Sequence, residues 1–258
     1  MDLGLKDRVA VVTGASRGIG LRIARSFARE GARLAICARG KQALDRAAEE
    51  LAEGGTEILA HVCDLAEPDA AAGLLAVVQD RWGEVHALVN NVGGNRRGQF
   101  TETTDQDWLD IFQLNFLSGL RTARAAVPLM RAAGGGSIVF ISSLFGREKG
   151  GSGLSIYNTT KSAQISAAGI MALELAPDGI RVNCVAPGSI QFEGGSWDKR
   201  VKADPEGMKK FIAANLPLGR FGRAEEVADV VAFLSSNRAS LITGATIAVD
   251  GAQGRSLI

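Results

Sequence analysis

The chain has almost no histidine or tyrosine: His61, His86 and Tyr157 are the full set among 258 residues. Two imidazoles argue against a histidine-built metal site, and any phenol chemistry has one candidate. Cysteine is also scarce. Cys37, Cys63 and Cys184 each sit in an apolar strand-like run without CxxC spacing, which reads as three buried free thiols. Neither sign of charge dominates, with 29 basic against 28 acidic side chains. No electrostatic field therefore favours nucleic acid or an anionic membrane. No apolar run reaches membrane-spanning length. The start does not read as an export signal, because Lys6-Asp7-Arg8 runs straight into an apolar strand pattern at Val9. The expectation is a soluble, reduced, cytoplasmic protein without metal, nucleic-acid or membrane partners.

What is present is an apolar fraction of 46%, enough for a substantial core. Short apolar runs fall at residues 9–13, 33–38, 57–63, 87–90, 137–141, 181–186 and 246–249. Most lack polar alternation, as strands covered on both faces do. Helix-period segments lie between them, at 19–30, 42–53, 70–82, 108–132 and 224–236. This alternation predicts an α/β fold: a Rossmann-type, doubly wound parallel sheet of about seven strands with helices on both faces. No linker or repeat interrupts it, so residues 1–258 read as one domain. One stretch breaks the rhythm. Residues 190–217 contain Phe192-Glu193-Gly194-Gly195-Ser196-Trp197, and a glycine-punctuated insertion of that length reads as a substrate lid.

The first strand runs into Thr13-Gly14-Ala15-Ser16-Arg17-Gly18-Ile19-Gly20, which opens the first helix. Glycines there permit a tight turn and close backbone approach to a pyrophosphate. The helix N-terminus adds free N–H groups and a positive dipole end. Gly14, Ser16, Arg17, Gly18, Ile19 and Gly20 are therefore candidate cofactor contacts. The second strand ends Ile36-Cys37-Ala38-Arg39-Gly40-Lys41, without a carboxylate to hold a ribose 2′-hydroxyl. Arg39 can instead pair with a 2′-phosphate, and Arg17 can close on it from the other side. NADP(H) is the expected cofactor, ahead of NAD(H).

The Gly-x-x-x-Gly-x-Gly spacing resembles that of the short-chain dehydrogenase/reductase family, and the resemblance continues along the chain. Asn90-Asn91-Val92-Gly93 is similar to the family's Asn-Asn-Ala-Gly, with valine for alanine. Asn115, Ser143, Tyr157 and Lys161 fall where the family's catalytic residues fall, and Pro187-Gly188 follows the sixth strand. Ile242-Thr243-Gly244 and Val249-Asp250-Gly251 resemble the C-terminal strand region. Asp64-Leu65 resembles the adenine-binding pair, with structural capping as the competing role of Asp64. The resemblance adds Asn91, Gly93, Pro187, Gly188 and Ile190 to the cofactor contacts, along with Tyr157 and Lys161.

Tyr157 and Lys161 stand four apart, which puts both on one helix face. A phenol pKa of about 10 would need about 4 kcal/mol of differential stabilisation to reach about 7, and a nearby ammonium works in that direction. The resemblance implies that Tyr157 exchanges a proton with the substrate oxygen while Lys161 lowers its pKa and binds the nicotinamide ribose. It also implies that Ser143 holds the substrate oxygen, with Ser142 as the competing choice, and that Asn115 positions Lys161 through water.

The reaction implied is NADP(H)-dependent interconversion of a ketone or aldehyde and an alcohol. The alternatives are a 3-oxoacyl thioester reductase acting on a carrier-linked substrate, and a non-catalytic dinucleotide-binding module. An epimerase or dehydratase is disfavoured by the short chain and the glycine spacing. Against carrier docking, Asp178 stands near the place where 3-oxoacyl carrier-protein reductases often have a basic residue. The family's threonine after Pro187-Gly188 is replaced by Phe192, so cofactor binding on this side must differ, either passing to Ser189 or the backbone or being weaker. Residues 94–97, 144–149 and 190–197 should line the substrate pocket. Within them Phe145, Phe192 and Trp197 suit an apolar or aromatic body, and Arg96 and Arg97 can reach an anionic group. A homotetramer is expected, built on residues 105–132 and 243–258.

Overall fold

The computed structural model describes residues 2–257. Ile258, the end of the expected C-terminal contact, lies outside them. The apolar runs form β1 (Val9–Thr13), β2 (Arg33–Ala38), β3 (Ile58–Val62), β4 (Ala87–Asn90), β5 (Gly136–Ile141), β6 (Ile180–Pro187) and β9 (Thr246–Val249). Two short strands, β7 (Ile190–Gln191) and β8 (Gly222–Arg223), pair separately. The seven longer strands make one parallel sheet in the order β3-β2-β1-β4-β5-β6-β9.

Alternate side chains of the strands feed two cores. Ala10 and Val12 of β1, with Leu34 and Ile36 of β2, meet Ile23 and Phe27 of α1 (Gly18–Arg29), Leu44 of α2 (Lys41–Ala52) and Val227 of α9 (Ala224–Ser235). Val9, Val11, Ala35 and Cys37 point the other way. They meet Leu74 of α3 (Ala70–Trp82), Met130 of α5 (Ser118–Ala132) and Ala168 of α6 (Ser155–Leu175). A period of two on a strand with both faces covered gives the continuous apolar runs seen in the sequence.

One segment differs from expectation. The helical stretch 105–132 is not one rod. It comprises α4 (Asp105–Phe112), a π turn at Gln113–Leu117 and then α5. The wider turn carries Asn115, which is fully buried, and such turns often occur at functional sites. The stretch 190–217 is ordered structure, with α7 (Ser196–Ala203) and α8 (Pro205–Asn215) following β7. Trp197 ties it together by packing on Phe211 at 4.8 Å and Phe221 at 5.0 Å between ring centroids. Among the described residues no helix is long and apolar enough to cross a membrane.

Candidate functional site

The chain leaves β1 toward one edge of the sheet and returns to β4 to build the other half. A crevice therefore opens beyond the C-terminal ends of β1 and β4, the usual place for ligands in such sheets. Gly14 and Gly18 take φ of +64° and +59°, which disfavours a side chain at either position. Gly20 is required for space, since an added Cβ would collide with the Gly14 carbonyl and the Asn91 amide. Asn91 fastens the turn to β4: its Nδ2 donates to the carbonyls of Thr13 at 3.0 Å and Gly14 at 3.1 Å. No side chain caps α1, so its first N–H groups face the crevice as free donors. This cradle fits a dinucleotide pyrophosphate.

Beside it lies a cavity of about 620 Å³ lined by Ser16, Arg17, Arg39, Asp64, Leu65 and Gly93, among others. Arg39 reaches Asp64 at 3.6 Å with 71% of its side chain exposed. Asp64 also accepts from the Ala66 N–H at 3.0 Å, so a local capping role accompanies any ligand contact. Cys63 departs from the expected burial. It is half-buried, lines this cavity and hydrogen-bonds the buried Cys37 thiol, which holds Cys63 below its ordinary pKa. Leu65 is part of the core as well as the cavity wall.

A second cavity, of about 450 Å³, contains Ser143, Tyr157 and Lys161 together with Pro187, Gly188 and Ile190. Asn91, Gly93, Gly94, Ile19 and Phe192 line both cavities, so the two form one cleft. Ser142 and Ser143 separate here. The Ser142 hydroxyl donates to the Lys161 backbone carbonyl at 2.9 Å, while Ser143 is hydrogen-bonded to the Tyr157 phenol. Burial raises the Tyr157 pKa, and the Ser143 contact opposes this. Lys161 is buried without a carboxylate, and desolvation lowers its pKa to about 8. Its Nζ lies 5.9 Å from the Tyr157 ring centre and donates to the Ile141 carbonyl at 2.8 Å and to Gln164 Oε1 at 3.2 Å. The ammonium and the phenol thus share one helix face, as the i, i+4 spacing predicts, with the ammonium 5.9 Å from the ring centre.

The Asn115 side chain does not contact Lys161. Its Oδ1 accepts from the Gly94 N–H at 2.7 Å, and its Nδ2 donates to the Gly94 carbonyl and Thr160 Oγ1, both at 2.9 Å. Sequence reasoning missed Thr160 and Gln164. The signal for Gln164 was its place three residues after Lys161 on the same helix face.

The substrate side is lined by Asn95, Arg97, Phe145, Phe192, Trp197, Arg200 and Gln253 and, among the described residues, by no carboxylate. Arg97 is there as expected, but Arg96 is drawn away into ion pairs with Asp107 and Asp110. Arg200, unforeseen, stacks over Trp197 at 4.8 Å. Phe192 packs its ring against Gly18, where an added Cβ would lie 2.7 Å from Cε2. Gly188 N–H bonds the Val249 carbonyl, and Ser189 N–H bonds Gln253 Oε1. Asp178 is paired with Arg131 at 2.8 Å. His86 is structural: its Nδ1 accepts from the Val9 N–H, and burial lowers its pKa.

The enoyl-(acyl carrier protein) reductase family matches residues 14–252 of the chain. Dehydrogenase/reductase SDR family member 4 of Oryctolagus cuniculus is 37% identical over 250 residues, covering 96% of this chain and 94% of that protein. A tropinone reductase homolog of Arabidopsis thaliana is 38% identical over 249 residues, covering 96% of this chain and 79% of the relative. Among solved structures, L-sorbose reductase from Gluconobacter frateurii complexed with NADPH and L-sorbose matches with a TM-score of 0.95 at 34% identity, covering 100% of both chains. With its fold, its glycine turn and its cleft matched along nearly the whole length, the chain belongs to the short-chain dehydrogenase/reductase family of NAD(P)-dependent oxidoreductases acting on CH–OH groups.

Proposed function

We propose that this protein is an NADP(H)-dependent carbonyl reductase and alcohol dehydrogenase in which Tyr157 is the general acid and base. The observation that supports this most directly is the Tyr157 phenol, hydrogen-bonded to Ser143, in a cleft shared with the buried ammonium of Lys161. Gly14, Ser16, Arg17, Gly18, Ile19 and Gly20 hold the pyrophosphate half, with Asn91 fixing the turn. Asp64 and Leu65 border the adenine, and Gly93, Pro187, Gly188 and Ile190 border the nicotinamide half. Arg39 and Arg17 take the 2′-phosphate. The Arg39–Asp64 pair is long and exposed, worth about 0–1 kcal/mol, so it yields readily to a phosphate dianion. That NADPH accompanies L-sorbose in the structurally similar reductase supports the same choice.

When bound, the nicotinamide supplies or accepts the hydride. Ser143 holds the substrate oxygen and Tyr157 transfers the proton to it. Burial disfavours loss of the phenol proton, and that proton is the one Tyr157 gives to the substrate oxygen in reduction. Lys161 supplies positive charge beside the phenol and a donor toward the ribose. Asn115 holds the Gly94 backbone and, through Thr160, the start of α6. Residues 190–217 serve as the substrate lid, with Trp197 as its internal anchor. Among the described residues the pocket wall carries two arginines and no carboxylate, which favours hydroxylated or anionic ketones over cationic ones. The chain works as one cytoplasmic domain in a homotetramer.

The test is NADPH oxidation against a panel of ketones, followed by Tyr157→Phe on the substrate found. The variant keeps ring volume and NADPH affinity but loses the proton donor, so turnover should fall by about 10²–10⁴-fold. Near-normal turnover would place the chemistry elsewhere.

A further inference from the structure

Gln164 is 2% exposed and uses both ends of its side-chain amide inside the protein. Oε1 accepts from Lys161 Nζ at 3.2 Å, and Nε2 donates to the Asn115 carbonyl at 2.6 Å. The family resemblance leads one to expect water between Asn115 and Lys161. Here a side chain spans that gap. We propose that Gln164 is a positioning residue whose carboxamide replaces the water link, fixing the Lys161 ammonium and closing the route from Asn115 to proton traffic.

The donor count supports this. An ammonium has three N–H groups. One goes to the Ile141 carbonyl and one to Gln164 Oε1, which leaves one for the cleft. The titratable groups facing Lys161 are Tyr157 on its own helix and Cys184 on β6, whose thiol is pushed up to about 12 by burial. From β5 it meets the Ile141 carbonyl, and its own backbone carbonyl accepts from Ser142. From the π turn, the Asn115 carbonyl is linked to it through Gln164. Among the described residues no carboxylate pairs with Lys161, so these two oxygens stabilise its charge.

Water can accept and donate a proton in turn. The amide donates only at nitrogen and accepts only at oxygen, so it orients the ammonium without relaying a proton. The π turn interrupts the regular helical ladder, and the Asn115 carbonyl takes its hydrogen from Gln164. Protons then reach Tyr157 from the cleft side, where Ser143 and the substrate lie.

This inference rests on the catalytic reading of Lys161, and the experiment separates the two. Gln164→Leu, Gln164→Glu and Lys161→Ala are compared with the parent enzyme by kcat, cofactor KM and thermal melting. Reduction rates are taken from about pH 6 to about pH 10, where loss of the Lys161 proton sets the alkaline limb. Leu removes both polar contacts at similar size. It should lower kcat by about 10²-fold, as a misplaced catalytic group does. It should also move the alkaline limb down by about one pH unit. Glu keeps an acceptor on Lys161 and adds charge, so its limb should move up and part of kcat should return. A merely structural role would lower the melting temperature and leave both limbs in place, and that result overturns the proposal. If Leu does not fold, the Glu limb alone decides, and an unmoved limb overturns it. If Lys161→Ala abolishes turnover while the Leu limb stays fixed, only the Gln164 proposal falls. If Lys161→Ala retains turnover, the catalytic reading of Lys161 falls and takes this proposal with it.

Discussion

Replacing Lys161 with methionine should abolish turnover and change how stability depends on pH. The chain length is nearly kept, so the main loss is the buried charge. In the folded protein burial lowers the lysine pKa to about 8, against 10.5 for the free side chain. That gap corresponds to about 3 kcal/mol of cost for burying the ammonium. Below pH 8 the lysine is charged in both states, and the folded state bears the full cost. As pH rises from about 8 toward 10.5, the folded lysine gives up its proton before the unfolded one, so stability rises with pH. In Lys161→Met this rise is missing. The variant's stability relative to the parent should be greatest near neutrality and decline by most of about 3 kcal/mol by about pH 10. Leaving the Ile141 carbonyl and Gln164 Oε1 without a donor offsets any net gain by about 1–3 kcal/mol each, but this does not vary with pH. Urea unfolding of both proteins, without cofactor, at intervals from about pH 7 to about pH 10 measures the difference. Parallel stability curves would refute the reasoning, because they would mean that Lys161 is not a strained buried cation.

Three further outcomes are expected. Arg39→Asp should reverse the preference for NADPH over NADH by removing a cation and adding a charge that repels the 2′-phosphate; equal affinity of the parent for both cofactors, by fluorescence titration, would contradict the assignment. Gly20→Ala should weaken cofactor binding by pushing the turn away from Asn91, with a stability loss of about 1–3 kcal/mol from overpacking; calorimetric affinity and a urea melt read the two effects separately. Light scattering at micromolar concentration should give a tetramer mass, and a monomer would leave the exposed Leu109 and Leu257, which lie in the two proposed contact segments, without the proposed subunit contact.

Much of the site was legible because its parts are local. Tyr157 and Lys161 share a helix, and the glycine turn lies within eight consecutive residues that join a strand to a helix. Covalent spacing fixes such geometry before any packing occurs. The parallel sheet was legible for a similar reason, since strands buried on both faces cannot afford polar alternation. The π turn was not legible. Residues 108–132 have the apolar period of one helix, and the wider turn coincides with Asn115 bonding Gly94, Thr160 and Gln164, partners distant in the chain.

The sequence by itself determined the strand–helix order, the absence of a carboxylate after β2, and the residue types of the proton-transfer set. Those features depend on neighbours in the chain. The tertiary structure decided where each side chain spends its hydrogen bonds, and that depends on neighbours in space. It sent Ser142 to the Lys161 backbone and Ser143 to the phenol, and it took Arg96 out of the pocket with two aspartates. It also brought Gln164 between Asn115 and Lys161, residues 46 positions apart in the chain, because the π turn and α6 pack together. A buried polar group must find its partner within about 3 Å, and only the folded chain decides which partner that is.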